Sequence, residues 1–250
     1  MGKTYEALKK AEAEKGAKPP LESLSVDGRE APEVLWNVGP LAQVEYQKIR
    51  VWLTNPAAQG QRHQTVMVVG CHPGTGATTT AALLAATLAE GTKARVLIID
   101  SNFRTPALNM IYQVNNNGGF TEAASKGVPF ETHIQPTDRK NLYVLTCGRI
   151  STCPAEIFEG EAIDHLISQL KQKFDYIIFD AAPSLEFPDS YALAPKVDCI
   201  ILVVQAEKTR IGDTQIAKRN LEMAGGQILG VVLNRQRDYT PAFLKRFLNI

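Results

Sequence analysis

Several common features are scarce in this 250-residue sequence, and each scarcity excludes something. It has four cysteines, Cys71, Cys147, Cys153 and Cys199, with no close pair of the spacing that metal or redox motifs use. They are expected to be reduced thiols of an intracellular compartment. Charge of one sign is lacking too: 27 Lys and Arg stand against 26 Asp and Glu, for a net charge of +1. Without a basic excess, nucleic acid is not an expected partner. No apolar run approaches the roughly 18 residues that a membrane span requires. The start, MGKTYE, is polar and charged, unlike a signal peptide, and Glu6 stands where a myristoylation site wants Ser or Thr. A cytoplasmic protein is expected, recruited to the inner face of a membrane through a partner if it works there at all.

What is present is a chain with 44% hydrophobic residues, enough for a substantial core. Residues 1–35 read as a polar segment and linker, and residues 36–250 as one domain. In the first part, Thr4 caps a short helix over Tyr5 to Glu14, with Tyr5, Leu8 and Ala11 on one stripe before Gly16, Pro19 and Pro20 break it. Val44 to Leu53 reads as a stronger helix that ends at Asn55-Pro56. From Thr65 onward, apolar runs alternate with helical segments. Strands are predicted at 65–70, 95–100, 142–146, 176–180, 198–204 and 228–234. Helices are predicted at 77–90, 154–173, near 190–193, 209–223 and 241–248. Strands that are apolar throughout are buried on both faces, and intervening helices imply parallel crossovers. The expected fold is an α/β, open, doubly wound and mostly parallel sheet, with ligands at the C-terminal edge of the strands.

That edge collects the candidate chemistry. Val66 to Val69 run into the loop Gly70 to Gly76, which runs into an alanine-rich helix. A strand, a glycine loop and a helix N-terminus together make a nest of backbone N–H groups for phosphate. The match to G-x-x-x-x-G-K-[ST] is partial: Gly76 and Thr78 fit, whereas Cys71 holds the first glycine position and Ala77 the lysine position. Asp100 and Asp180 end two of the apolar runs, and in a parallel sheet these ends lie along one edge, so two carboxylates and the Thr78 hydroxyl can face a metal ion bound to phosphates.

These motifs resemble the cytoplasmic P-loop domain of bacterial tyrosine autokinases of capsule and exopolysaccharide assembly, relatives of the MinD and ParA class. The likeness rests on Pro73-Gly74-Thr75-Gly76-Ala77-Thr78, on Asp100-Ser101-Asn102-Phe103-Arg104 after three apolar residues, and on Asp180-Ala181-Ala182-Pro183. Pro154-Ala155-Glu156-Ile157-Phe158 and Gly230-Val231-Val232-Leu233-Asn234 agree with the family's flanking elements. The resemblance implies nucleotide contacts from Pro73, Gly74, Thr75, Gly76, Ala77, Thr78 and Thr79, with Asn234 at the adenine. It implies a Mg²⁺ site at Thr78, Asp100 and Asp180, the two aspartates being catalytic if any activity remains.

The departures bear on function. Ala77 replaces the lysine of the β- and γ-phosphates, and His72 stands where the MinD and ParA proteins carry their extra lysine. Asn102 replaces the second aspartate of Asp-x-Asp, and after Tyr191 the chain holds one tyrosine, Tyr239, in place of a C-terminal cluster. The family's oligomerisation helix reads Glu-x-x-Arg-x-x-Arg; Val44, Gln47 and Arg50 take those positions here. His72 reads as a neutral loop histidine or a phosphate donor, and Arg104 as a phosphate ligand or half of an ion pair. The expectation is a catalytically impaired relative, a pseudokinase, binding ATP or ADP and Mg²⁺ weakly or not at all. Its partner would be a membrane-embedded polysaccharide chain-length protein or an active homologous kinase, with self-association left open. Alternatives are an active ATPase or tyrosine autokinase with a substitute basic residue, and a positioning ATPase of the ParA or MinD type.

Overall fold

The computed structural model describes residues 36, 39–55, 63–124, 129–149 and 154–236. The helices expected at 5–14 and 241–248 lie outside the described residues. The described chain runs α1 (Pro40–Thr54), β1 (Thr65–Gly70), α2 (Ala77–Thr92), β2 (Val96–Ser101), α3 (Leu108–Ile111), α4 (Phe120–Ala123), β3 (Gln135–Pro136) and β4 (Leu142–Leu145). It continues through α5 (Glu161–Lys173), β5 (Tyr176–Ala181), α6 (Asp189–Leu193), β6 (Cys199–Gln205), α7 (Ile211–Met223) and β7 (Ile228–Asn234). None of the described helices is long and apolar enough to cross a membrane.

The strands form one seven-stranded sheet in the order β3-β4-β2-β5-β1-β6-β7. Every pairing is parallel except the short antiparallel contact of β3 with β4, which the sequence pattern did not announce. Because the chain moves outward from β1 to β2 and then returns to insert β5 between them, the C-terminal ends of β1, β2 and β5 come to lie side by side. Strand residues alternate between two cores. Met67, Val69, Ile177 and Phe179 face α4 to α7, whereas Val66, Val68, Ile98 and Ile178 face α1, α2 and α3. Both faces are therefore covered, as the continuous apolar runs demanded.

Several boundaries differ from the sequence reading, α1 beginning at Pro40 instead of Val44 and α7 at Ile211 instead of Thr209 among them. The single helix expected over 154–173 is two pieces, a 3-10 turn at Pro154–Phe158 and α5 from Glu161. Gly160 is extended between them, and Glu161 and Asp164 in the first turn of α5 favour a fresh start there. Strands β2 and β5 each run one residue beyond their aspartate, to Ser101 and Ala181.

Candidate phosphate-loop site

The loop after β1 is a built structure. Gly74 and Gly76 both sit in the left-handed region, at φ +76° and +89°, which glycine enters without a Cβ penalty. The exit of β1 is tied to the segment after β5: the Ser184 N–H donates to the Gly70 carbonyl at 2.9 Å and the Leu185 N–H to that of Cys71 at 3.2 Å. On the other side, Asn234 at the end of β7 donates its amide to the Thr75 carbonyl at 2.8 Å. Thr75 is buried, Pro73 and Gly74 are exposed, and Gly76, Ala77, Thr78 and Thr79 are half-buried where α2 begins.

Asp100 and Asp180 lie opposite each other in the register of β2 and β5. By alternation both project to the face that α2 covers, with 0% and 1% exposure. Their surroundings differ. Asp100 accepts the N–H groups of Asn102 (3.2 Å), Ala107 (2.9 Å) and Leu108 (3.0 Å), organising the turn into α3. Burial still raises its carboxyl to about 6 against the pull of these three donors. Among the described residues, neither carboxylate oxygen of Asp180 has a hydrogen-bond partner. Burial, then the neighbouring Asp100 charge, raise Asp180 well above the usual carboxylate range; Thr78 is near enough to soften the rise without bonding geometry. A buried carboxylate without a donor is costly unless a cation meets it. Asp180, Thr78 and the Asp100 edge therefore fit a hard cation that takes its other ligands from phosphate. Among the described residues no group of three or more His, Cys, Asp or Glu side chains would hold a metal alone.

The charged and thiol residues near the loop are held within the chain. His72 places Nε2 3.1 Å from Asp213 Oδ2 in the first turn of α7, and Nδ1 3.6 Å from Glu186 Oε1. Arg104 makes a two-pronged contact with buried Asp189, Nε to Oδ2 at 2.9 Å and Nη2 to Oδ1 at 3.1 Å, and lies over the Phe187 ring. Of the two readings the sequence left open for Arg104, the ion pair is the one formed. Asn102 closes on its own turn, accepting the Thr105 N–H (3.2 Å) and donating to the Thr105 hydroxyl (3.1 Å). Cys71 is fully buried, and burial pushes its thiol up to about 11, so it packs instead of reacting. Asp213, Glu186, Asp189 and Ser184 are the site's neighbours that sequence reasoning missed. An acid in the first turn of a helix, such as Asp213, reads as dipole compensation and nothing more.

Comparison with known proteins agrees with this geometry. The AAA domain family AAA_31 matches residues 63–219. The tyrosine-protein kinase YwqD of Bacillus subtilis (strain 168) is 31% identical over 181 residues, 72% of this chain and 76% of the relative. Tyrosine-protein kinase CpsD of Streptococcus pneumoniae is 30% identical over 183 residues, 73% of this chain and 80% of the relative. Among solved structures, the chimerical protein CapA2B2 superposes with a TM-score of 0.74 at 26% identity, covering 80% of this chain and 87% of that one. The loop, the paired aspartates and these likenesses converge: the chain belongs to the bacterial tyrosine-kinase-like branch of the MinD and ParA type of P-loop proteins.

Proposed function

We propose that this chain is a catalytically impaired, tyrosine-autokinase-like P-loop protein that acts by binding, as a regulatory component of exopolysaccharide or capsule assembly. One observation carries the reading. Ala77 brings no charge to the lysine position, and the two basic side chains that were candidate substitutes are held elsewhere, His72 by Asp213 and Arg104 by Asp189. Phosphoryl transfer rests on positioning and charge neutralisation. One missing preorganised donor costs about 3 kcal/mol, or about 10²–10³ in rate. With Asn102 also uncharged, the combined loss is roughly 10⁴, although such losses need not add.

Binding suffers less than catalysis. The backbone nest remains, and so do Thr78, Asp100 and Asp180. ATP or ADP would lie along Pro73 to Thr79, with Mg²⁺ held through Thr78, Asp180 and Asp100. The cation would neutralise phosphate charge and relieve the two crowded carboxylates. A septum site-determining MinD of Pyrococcus horikoshii OT3, solved with Mg-ADP, supports this placement; it superposes with a TM-score of 0.57 at 26% identity, covering 73% of this chain and 76% of that one.

The proposed partner is a membrane-embedded chain-length protein or an active kinase of the same family, engaged through residues 1–35 and α1. The exposed Leu41, Val44, Val51 and Trp52 on α1 support a docking role. Copurification with such a partner that survives deletion of residues 1–35 would reject the part assigned to that segment.

Calorimetry with ADP and ATP, with and without Mg²⁺, tests the main reading. Weak, Mg²⁺-dependent binding without turnover is expected, and Ala77→Lys should tighten ATP binding about tenfold, the worth of one charge-assisted hydrogen bond. ATP turnover by the unmodified chain that Asp180→Ala abolishes would overturn the impairment.

A further inference from the structure

We infer that Asn234 is a positioning residue for the phosphate loop: it fixes the Thr75–Gly76 peptide so that the Gly76 N–H is turned toward the phosphates. The inference rests on the nucleotide-binding reading above and assigns Asn234 a role other than reading the adenine.

Both ends of the Asn234 amide are engaged. Nδ2 donates to the Thr75 carbonyl at 2.8 Å, across 159 residues of sequence. Oδ1 accepts the Arg235 N–H at 2.8 Å, and the Asn234 carbonyl accepts the Ala206 N–H at 2.9 Å, which ties the strand end to the turn after β6. The side chain is therefore anchored on one side and holds the loop on the other.

What it holds is a peptide that can otherwise turn over. Thr75 lies between Gly74 and Gly76, both at positive φ. A peptide plane rotates by coupled changes in the ψ before it and the φ after it, and a glycine on the far side leaves both orientations open. A trans peptide sets its C=O and N–H on opposite sides. With the Thr75 carbonyl fixed on Asn234, the Gly76 N–H must point away from Asn234. Asn234 in this position also leaves no room for a side chain at residue 76, because a Cβ on Gly76 would overlap Asn234 Nδ2. In a loop with Ala77 at the lysine position, backbone donors carry the phosphate contacts, so the orientation of one N–H weighs more than it would beside a lysine.

The experiment compares ADP with inorganic pyrophosphate, each with Mg²⁺, on the full chain and on Asn234→Ala, by calorimetry. If Asn234 acts through the loop, both ligands weaken by the same factor, about tenfold for one lost preorganised donor. Loss of ADP affinity with pyrophosphate unchanged would overturn the inference, since Asn234 would then be reading the base. Amide NMR supplies a readout without ligand. Gly76 and Ala77 should give single signals in the unmodified chain and doubled or exchange-broadened ones in the variant. Should neither ligand bind the unmodified chain, the nucleotide reading fails, and the NMR alone decides the brace: unchanged Gly76 and Ala77 signals in the variant reject it.

Discussion

Asp100 and Asp180 are adjacent, equally buried and in register, yet they are opposites. Asp100 accepts three backbone N–H groups and shapes the turn into α3, whereas Asp180 accepts none among the described residues. A residue like Asp100 would be kept in a protein with no ligand, because the fold uses it. Asp180 has no comparable structural task here, and its burial costs stability. The pair separates what the architecture needs from what a bound cation would need.

The comparison can be broken in three ways, and a fourth test probes the packing beside it. Asp100→Ala should have the largest effect, about 3 kcal/mol of destabilisation from three stranded backbone donors, read as a fall in Tm in metal-free buffer. A neutral or stabilising result would remove the structural role. Asp180→Asn should act in the other direction and raise the Tm of the metal-free protein at pH 8 by a few degrees.

The pH dependence follows from the same pair. Their folded-state carboxyls lie above the ordinary value of 3.8, Asp100 at about 6 and Asp180 also well above it. Between those values the folded chain binds more protons than the unfolded one, so this contribution to stability falls as pH rises. The Tm gap between Asp180→Asn and the unmodified chain should therefore widen from pH 4.5 to pH 8 and narrow when Mg²⁺ is added. A gap that stays constant with pH would mean that the two carboxylates do not share the cost. The smallest effect is expected at Cys71, where alkylation by iodoacetamide should be negligible in the folded state and rapid after unfolding.

The sheet and the phosphate loop are legible in the sequence because they are local. An apolar run four residues long, a glycine loop and an alanine-rich helix follow one another without interruption, and the order of the two aspartates places them on one edge. The pairings that give the site its character are not local. His72 meets Asp213 across 141 residues, Arg104 meets Asp189 across 85, and Asn234 meets Thr75 across 159. Each is set by where a crossover returns the chain to the sheet, and no periodicity records that. The split of the 154–173 segment was missed for a different reason. Gly160 interrupts a pattern whose apolar residues continue on both sides, and the extended backbone there outweighs the helical composition.

Arg50 is the position of the family's charged oligomerisation motif that this chain retains, and it is turned inward: its guanidinium lies against Gly91 at the end of α2, where a Cβ would overlap it. The outward side of α1 carries Leu41, Val44, Val51 and Trp52 instead, with Trp52 59% exposed. An association built on that side would respond to ionic strength in the opposite sense to one built on Glu-Arg contacts. Added sulfate would strengthen it, because excluded salts favour apolar burial and screening has little to weaken.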